Sequence, residues 1–169
     1  MIVKIEITDA MREYAHAAAK EMGVLKNSIS NGRGNVLGFL GEAMVSDYLS
    51  LSLGENTYHY DMILPDGRKI DVKTKKTTVV PKETYDCSIS NFNTRQKCDI
   101  YVFCRVLEDQ SKGWILGYDL KDNYMKTATF MKKGDIDQDN GYKVRADCHN
   151  KKIKDLSPIT ELLATKQKK

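Results

Sequence analysis

The sequence predicts an α/β fold in which a mixed β-sheet, containing an antiparallel hairpin, is flanked by helices. Three observations predict this class. Apolar residues recur at helical spacing over much of residues 8–53, the pattern changes to a period of two through residues 57–76, and apolar runs follow at residues 98–107 and 113–118. Alternation of helices and strands along one chain is typical of a sheet covered by helices.

Composition indicates one globular domain. The chain has 169 residues, 41% hydrophobic and 30% charged, which suffices for a packed core and excludes collagen-like or wholly disordered classes. We expect a single domain over residues 1–165 and a basic tail at 166–169. No apolar run is long enough for a bilayer and no signal-peptide pattern opens the chain, so we expect a cytoplasmic protein with no membrane partner.

The first elements follow from local pattern. Residues 1–6 alternate like a strand, and Thr8 and Asp9 then form a plausible cap for a helix that ends at Gly23. Residues 26–35 lack periodicity, which indicates a loop with Arg33 near its end. A second, apolar helix is predicted over residues 35–53. It carries one acidic residue, Glu42, directly after Gly41, and small neighbours of this kind allow a helix to approach a sheet closely.

Residues 57–76 form two alternating runs around Pro65-Asp66-Gly67, which predicts a β-hairpin with a three-residue loop. The expected cross-strand pairs are Leu64 with Arg68, Met62 with Ile70, Tyr60 with Val72, and Asp61 with Asp71. Because side chains alternate along a strand, one face is apolar and the other is charged. The apolar face holds Tyr60, Met62, Ile70 and Val72, and the charged face holds Asp61, Asp71 and Lys73.

The rest of the chain continues the alternation. We expect strands at residues 98–107 and 113–118, a short helix at about 120–128, a strand near 142–146 and a last helix at about 158–166. Residues 77–96 form a polar connection.

Opposed carboxylates on the hairpin indicate a metal site. Asp61 and Asp71 would repel each other at ~4–6 Å unless a cation lay between them. Mg²⁺ accepts one or two protein carboxylates together with waters and phosphate oxygens, and the Val72 carbonyl is a further oxygen ligand. Lys73 projects from the same face as Asp71, about 7 Å along the strand, where its amine is placed to act on a metal-bound water or on a phosphate. Glu42 completes the set from the helix.

This arrangement resembles the PD-(D/E)xK nuclease superfamily, whose signature is a helix glutamate, an aspartate, and then an acid followed two residues later by lysine. The matching residues are Glu42 in GFLGE, Asp61 in YHYDMIL, and Asp71 and Lys73 in KIDVKTK. The match covers residues 36–76, and it departs from the family at Tyr60, where the family name expects proline. The resemblance implies a restriction-endonuclease-like core.

The resemblance also implies a reaction and its residue roles. It implies Mg²⁺-dependent phosphodiester hydrolysis, with Mn²⁺ as a substitute. Asp61 and Asp71 would be metal ligands, Glu42 a ligand or a water positioner, and Lys73 the activator of the water. The implied substrate is duplex or branched DNA, and two symmetric cuts would require a homodimer.

Basic residues concentrate beside the predicted site. Residues 68–82 hold six basic side chains and one acidic side chain, in a chain whose net charge is +4. Phosphate backbones are bound through such groups. The predicted nucleic-acid-binding residues are Lys69, Lys75, Lys76, Arg33 and Gln96, and we expect the three lysines to be exposed.

Other interpretations stay open at the level of sequence. The same scaffold is compatible with a non-catalytic nucleic-acid-binding or interaction module, and Mn²⁺ calorimetry separates that module from an enzyme. A non-nucleolytic metal hydrolase is less attractive because no histidine accompanies the carboxylates. The choice between DNA and RNA, or between internal and terminal cleavage, is not encoded in a hairpin.

Overall fold

The computed structural model describes residues 1–22, 33–53, 58–138 and 141–163. Eight strands are present in this part of the chain: β1 Val3–Glu6, β2 Met62–Ile63, β3 Lys69–Thr77, β4 Asp86–Ser90, β5 Ile100–Leu107, β6 Lys112–Leu120, β7 Thr129–Met131 and β8 Cys148–Lys152. The helices are α1 Asp9–Met22, α2 Arg33–Leu49, α3 Lys121–Thr127 and α4 Thr160–Leu163, with two 3-10 turns at Asn91–Arg95 and Ile153–Asp155. The predicted α/β class is confirmed.

A five-stranded mixed sheet forms the centre, in the order β1-β6-β5-β3-β2. β3 runs parallel to β5, whereas the other neighbouring strands are antiparallel. The parallel pair places Asp71 beside Tyr101 and Lys73 beside Phe103. β4, β8 and β7 form a second, antiparallel sheet.

The helices α1 and α2 cover one face of the central sheet. α1 begins where the Thr8 hydroxyl accepts a hydrogen bond from the Met11 backbone N–H at 3.2 Å, as expected for a helix cap. Met11 and Ala15 of α1 pack into a core with α2 and with the sheet residues Ile70 and Ile100. This apolar burial is the main stabilising contribution on this face.

Contact between α2 and β3 depends on one glycine. A Cβ placed on Gly41 would overlap the Thr74 hydroxyl oxygen, and it would lie 3.0 Å from the Thr74 Cβ. The expected close approach of the helix to the sheet is therefore present at Gly41. At Gly38 a Cβ would meet nothing within 4 Å, so that glycine is not needed for packing.

The opposite face of the central sheet packs against a second apolar cluster. Tyr101 and Phe103 of β5 and Trp114 of β6 belong to this cluster, together with Ile89 of β4 and Tyr124 of α3. The Tyr124 hydroxyl proton is shared between the Cys87 and His149 carbonyl oxygens, which lie 2.7 and 2.8 Å from the hydroxyl oxygen. This contact joins α3 to the second sheet. Side chains on this face of β3 therefore lie between the two sheets.

The hairpin register is confirmed where the two strands pair. Met62 lies opposite Ile70, the Leu64 N–H donates to the Arg68 carbonyl at 2.8 Å, and Gly67 has φ of 91°, as the turn requires. The expected position of Tyr60 was wrong. β2 is only two residues long, and Tyr60 packs against the second cluster instead of beside Met62.

Three strands differ from the sequence-based expectation. The strand predicted near residues 142–146 is absent, and the strand in that region is β8, Cys148–Lys152. β4 and β7 were not predicted. The end of the last predicted helix and the basic tail at 166–169 lie outside the described residues, as does most of the predicted 26–35 loop. Among the helices described, none combines the length and hydrophobicity needed to cross a membrane.

Replacing Gly41 with alanine is expected to destabilise the fold by about 1–3 kcal/mol, because the new methyl group must displace Thr74. Gly38→Ala is the matched control and should be neutral or stabilising by up to about 1 kcal/mol, since alanine is the better helix former. Urea unfolding measures both. Thr74→Ala should recover part of the loss in the double variant. Equal effects of the two glycine substitutions would contradict this account of the packing.

Candidate active site

Asp61 lies at the point where the chain enters β2. Its N–H donates to the Ile70 carbonyl at 2.8 Å, and its carboxylate Oδ2 accepts from the Val72 N–H at 2.7 Å. The Asp61 carboxylate thus accepts the hydrogen bond that the backbone of a neighbouring strand would otherwise accept at this edge of β3. Asp61 is 8% exposed, so two bonds to one strand hold a buried carboxyl group in place.

Asp71 and Lys73 form an ion pair on one face of β3. Lys73 Nζ lies 2.8 Å from Asp71 Oδ2, with side-chain exposures of 18% and 5%. This oxygen has no partner with hydrogen-bond geometry, although the ammonium is close. Lys73 also lies 6.0 Å from the centre of the Tyr101 ring, which places it on the face that meets the second sheet.

Gln96 connects the members of this pair. Its amide oxygen accepts from Lys73 Nζ at 2.7 Å, and its amide nitrogen donates to Asp71 Oδ1 at 3.2 Å and to the Tyr58 carbonyl at 2.6 Å. Its own backbone is held by Asn93 and by Lys121, which donates to the Gln96 carbonyl. The amide therefore fixes the distance between the ammonium and the carboxylate.

Glu42 reaches the site from α2. It is 8% exposed and within hydrogen-bonding reach of Asp61, which in turn lies within reach of Asp71. The Tyr14 hydroxyl of α1 lies near Glu42 and Asp61. Burial and the charges of these two carboxyls raise the pKa of that hydroxyl. Three carboxyl groups therefore follow one another across the edge of the sheet, with Asp61 in the middle.

The crowding of these carboxyls changes their acidity. Burial, the hydrogen bond to Asp61 and the charges of Asp61 and Asp71 raise the pKa of Glu42 to about 10. Burial raises the pKa of Asp71 to about 6 with help from Asp61, although the Lys73 charge opposes the increase. Protons are thus favoured in the site because, in the part of the chain that the structure describes, Lys73 alone forms an ion pair with these buried carboxyls.

The donor set suits a hard divalent cation. Glu42, Asp61 and Asp71 supply only oxygen atoms, and the Val72 carbonyl points to the same strand edge as the Val72 N–H that binds Asp61. In the described parts of the chain no three His, Cys, Asp or Glu side chains are grouped around one point as a metal site. Mg²⁺ needs only one or two protein carboxylates, however, so Asp61 and Asp71 satisfy its requirement.

The predicted nucleic-acid-binding residues occupy different environments. Lys76 is exposed, as expected, and lies 3.6 Å from Glu108. Lys69 is half-buried instead of exposed, and it lies 5.1 Å from the centre of the Tyr60 ring. The expectation of an exposed Lys75 was wrong, because its side chain enters the space between the sheets and donates to the Ser88 hydroxyl at 2.8 Å. Gln96 is 5% exposed, so its amide serves the Lys73–Asp71 pair instead of a surface contact. The Arg33 side chain lies outside the described residues.

Two features of the site were not found from the sequence. One is the position of Tyr14 beside Glu42, because an amphipathic helix pattern does not distinguish such a contact from ordinary helix packing. The bridging role of Gln96 also depends on a long-range fold. The signal available was its place directly before a buried strand that neighbours β3.

Comparison of the chain with protein-family models and with curated proteins gives no match. The resemblance to the PD-(D/E)xK nucleases therefore depends on the residues of the hairpin and of α2 alone.

In the absence of divalent cations, Glu42→Gln should stabilise the protein increasingly as the pH rises. The pKa of Glu42 is higher in the folded chain than in the unfolded chain, so folding takes up a proton and the stability of the wild type falls from about pH 4.5 upward. Glutamine carries no such penalty. We expect a gain of about 1–3 kcal/mol at pH 8 and almost none at pH 4.

Urea unfolding at the two pH values measures this difference. Asp47→Asn is the matched control, since Asp47 is an exposed carboxylate on the same helix. A gain for Glu42→Gln that is equal at both pH values would show that Glu42 is not held as a buried acid.

Proposed function

We propose that the protein is a Mg²⁺-dependent nuclease that hydrolyses phosphodiester bonds of DNA, on a restriction-endonuclease-like core. The observation that carries the proposal is the contact of three buried carboxyls, Glu42, Asp61 and Asp71, with a lysine held against one of them. Buried carboxyls in contact destabilise a fold, because their charges repel each other. A bound cation would offset that repulsion, and the lysine beside the carboxyls would contact a phosphate.

Asp61 and Asp71 are the residues proposed to hold the cation, with the Val72 carbonyl and Glu42 beside them. When bound, Mg²⁺ would polarise the phosphate and lower the pKa of a coordinated water. Every other contribution comes from the chain. Asp61 is already oriented by the Val72 N–H, so little rearrangement is needed to present its other oxygen.

Lys73 is proposed to act on the phosphate and on the attacking water. Its ammonium is 2.8 Å from Asp71, so it lies at the point where phosphate oxygens would meet the carboxylates. A cation there stabilises the negative charge that increases on the phosphate during attack. Gln96 holds the amine in this direction through the 2.7 Å bond to its amide oxygen.

Glu42 is suited to handle a proton. Its raised pKa means that it carries a proton near neutral pH as long as the charges of Asp61 and Asp71 are not neutralised. Reduction of the negative charge around it would lower that pKa and leave a carboxylate able to orient or deprotonate a water. This role fits its position behind Asp61, where it reaches the site from the helix.

DNA is the proposed substrate because positive charge lies along the same strand and at its ends. Lys69, at the start of β3, leaves the same face as Asp71 and Lys73 and is placed to contact a phosphate beside the site. Lys76 is exposed near the other end of the strand, on the opposite face. Such contacts position a duplex without reading its sequence.

Asp71→Asn and Lys73→Met should each reduce Mg²⁺-dependent cleavage of plasmid DNA by ~10²–10⁴-fold, because each removes a group that acts on the phosphate or the water. DNA binding in a gel-shift assay should change much less. Asp122→Asn, an exposed carboxylate of α3, is the control and should cut normally. Wild-type cleavage by the purified Asp71→Asn protein would exclude this mechanism.

Gln96→Met should lower kcat by about 10–100-fold with little change in KM, because the amide positions Lys73 without contacting substrate. The pH profile of kcat should shift as well, since Lys73 and Asp71 would lose the group that fixes their separation. Gln96→Glu keeps the Lys73 contact but places a second acid beside Asp71. A Gln96→Met enzyme with an unchanged pH profile and a raised KM would instead indicate a binding role.

A further inference from the structure

A cleft between the two sheets contains positive charge that the proposed catalytic chemistry does not use. Two adjoining cavities, of about 320 and 590 Å³, share five residues: Lys75, Asp86, Arg105, Tyr142 and Arg145. Lys73 lines the smaller cavity, whereas Asp61 and Glu42 do not. The cleft therefore adjoins the candidate active site without being part of it.

Two cations face each other inside this cleft. Lys75 on β3 is paired with Arg105 on β5 in the parallel ladder, so their side chains leave the same face of the sheet. Like charges placed opposite each other on neighbouring strands are destabilising. Burial and the positive charge of Arg105 lower the pKa of Lys75, and burial lowers the pKa of Arg105.

Nearby groups leave much of this charge unbalanced. Asp86 is the carboxylate lining the cleft, and its side chain is engaged by Lys152 at 2.9 Å. Only its backbone carbonyl accepts from Arg105, at 3.0 Å. The Cys87 thiol does not supply an anion, because burial raises its pKa to about 12. Among the described residues, neither Lys75 nor Arg105 forms an ion pair.

Hydrogen-bond donors remain available in the same place. The Arg105 Nε is buried and has no hydrogen-bond partner in the described structure. Lys75 uses one donor on the Ser88 hydroxyl, and the exposed Arg145 side chain lines both cavities. A buried, unpaired guanidinium nitrogen is costly and is satisfied by a ligand with several acceptor oxygens.

We infer that this basic cleft, formed by Lys75, Arg105 and Arg145, binds a phosphoryl group. Guanidinium groups match the oxygen geometry of phosphate, and an ammonium adds a point charge. The volume accommodates a nucleotide, and Tyr85, stacked 5.2 Å from the Arg105 guanidinium, and Tyr142 form aromatic walls. Assignment of the phosphate to a DNA strand passing Lys73 rests on the proposed nuclease function, whereas phosphate binding itself does not.

Titration of the full chain with inorganic phosphate, without divalent cations and followed by NMR, tests the cleft directly. Lys75→Met should weaken phosphate binding at least tenfold, and Arg145→Gln should weaken it severalfold. Lys143→Gln, an exposed cation close to Arg145 in sequence that lines neither cavity, should bind as the wild type. Because Arg145 is exposed, its replacement keeps the test valid even if Lys75→Met does not fold.

Competition then identifies the source of the phosphate. Displacement of inorganic phosphate by a 5′-phosphorylated oligonucleotide, but not by its 5′-hydroxyl form, supports a site for a strand terminus. Equal displacement by both supports a site for an internal linkage. Absence of phosphate binding to the wild type, or equal binding by wild type, Lys75→Met and Arg145→Gln, would overturn the inference. Since no cleavage is measured, a protein without nuclease activity would still give the expected result.

Discussion

The burial of three neighbouring carboxyl groups beside β3 is the constraint on which the rest of the site depends. Within the described chain, Lys73 is the cation that forms an ion pair with them, and its partner among the three is Asp71. Glu42 and Asp61 have to be kept in contact against their own repulsion. The energy for this comes from the apolar core behind them, where α2 packs on the sheet without a gap at Gly41. The core thus holds an arrangement that electrostatics alone would disperse.

Each of these carboxyls is fixed by a different part of the fold. The backbone of β3 orients Asp61, a side-chain amide from the loop before β5 orients Asp71, and a helix carries Glu42. The three attachments meet only because β3 lies between β2 and β5 in the central sheet. A movement of any one element would separate the carboxyls from each other. The site therefore depends on the order of the strands in the central sheet.

Local pattern was enough to predict the hairpin and not enough to predict its surroundings. Turn chemistry at Gly67 and alternation in residues 69–77 determine the register, and both are short-range properties. Tyr60 was misplaced because alternation applies only within a strand, and β2 begins at Met62, after Tyr60. Glu42 was identified because an acid in an apolar helix is conspicuous, whereas the Tyr14 contact depends on how two helices pack.

Lys75 shows a further limit. It follows Asp71 and Lys73 on one face of β3, and a sequence of alternating charges is typical of a solvated strand face. The second sheet covers that face, but β4 alternates over only five residues, and β7 and β8 are short and show no clear alternation. The pairing of β4 with β8 joins segments about 60 residues apart, as between Ser88 and Asn150. No local signal therefore indicates that a sheet lies over Lys75.

On the covered face of β3 the side-chain charge changes from negative to positive along the strand. Asp71, Lys73 and Lys75 follow one another at about 7 Å intervals, so a carboxylate, a shared ammonium and an unbalanced ammonium lie in one row. An anion approaching this row is repelled at the Asp71 end and attracted at the Lys75 end. Only after the carboxyls are neutralised does the whole row attract phosphate. Under the proposed function, this strand would hold a phosphate near Lys75 and place the bond to be hydrolysed near Asp71.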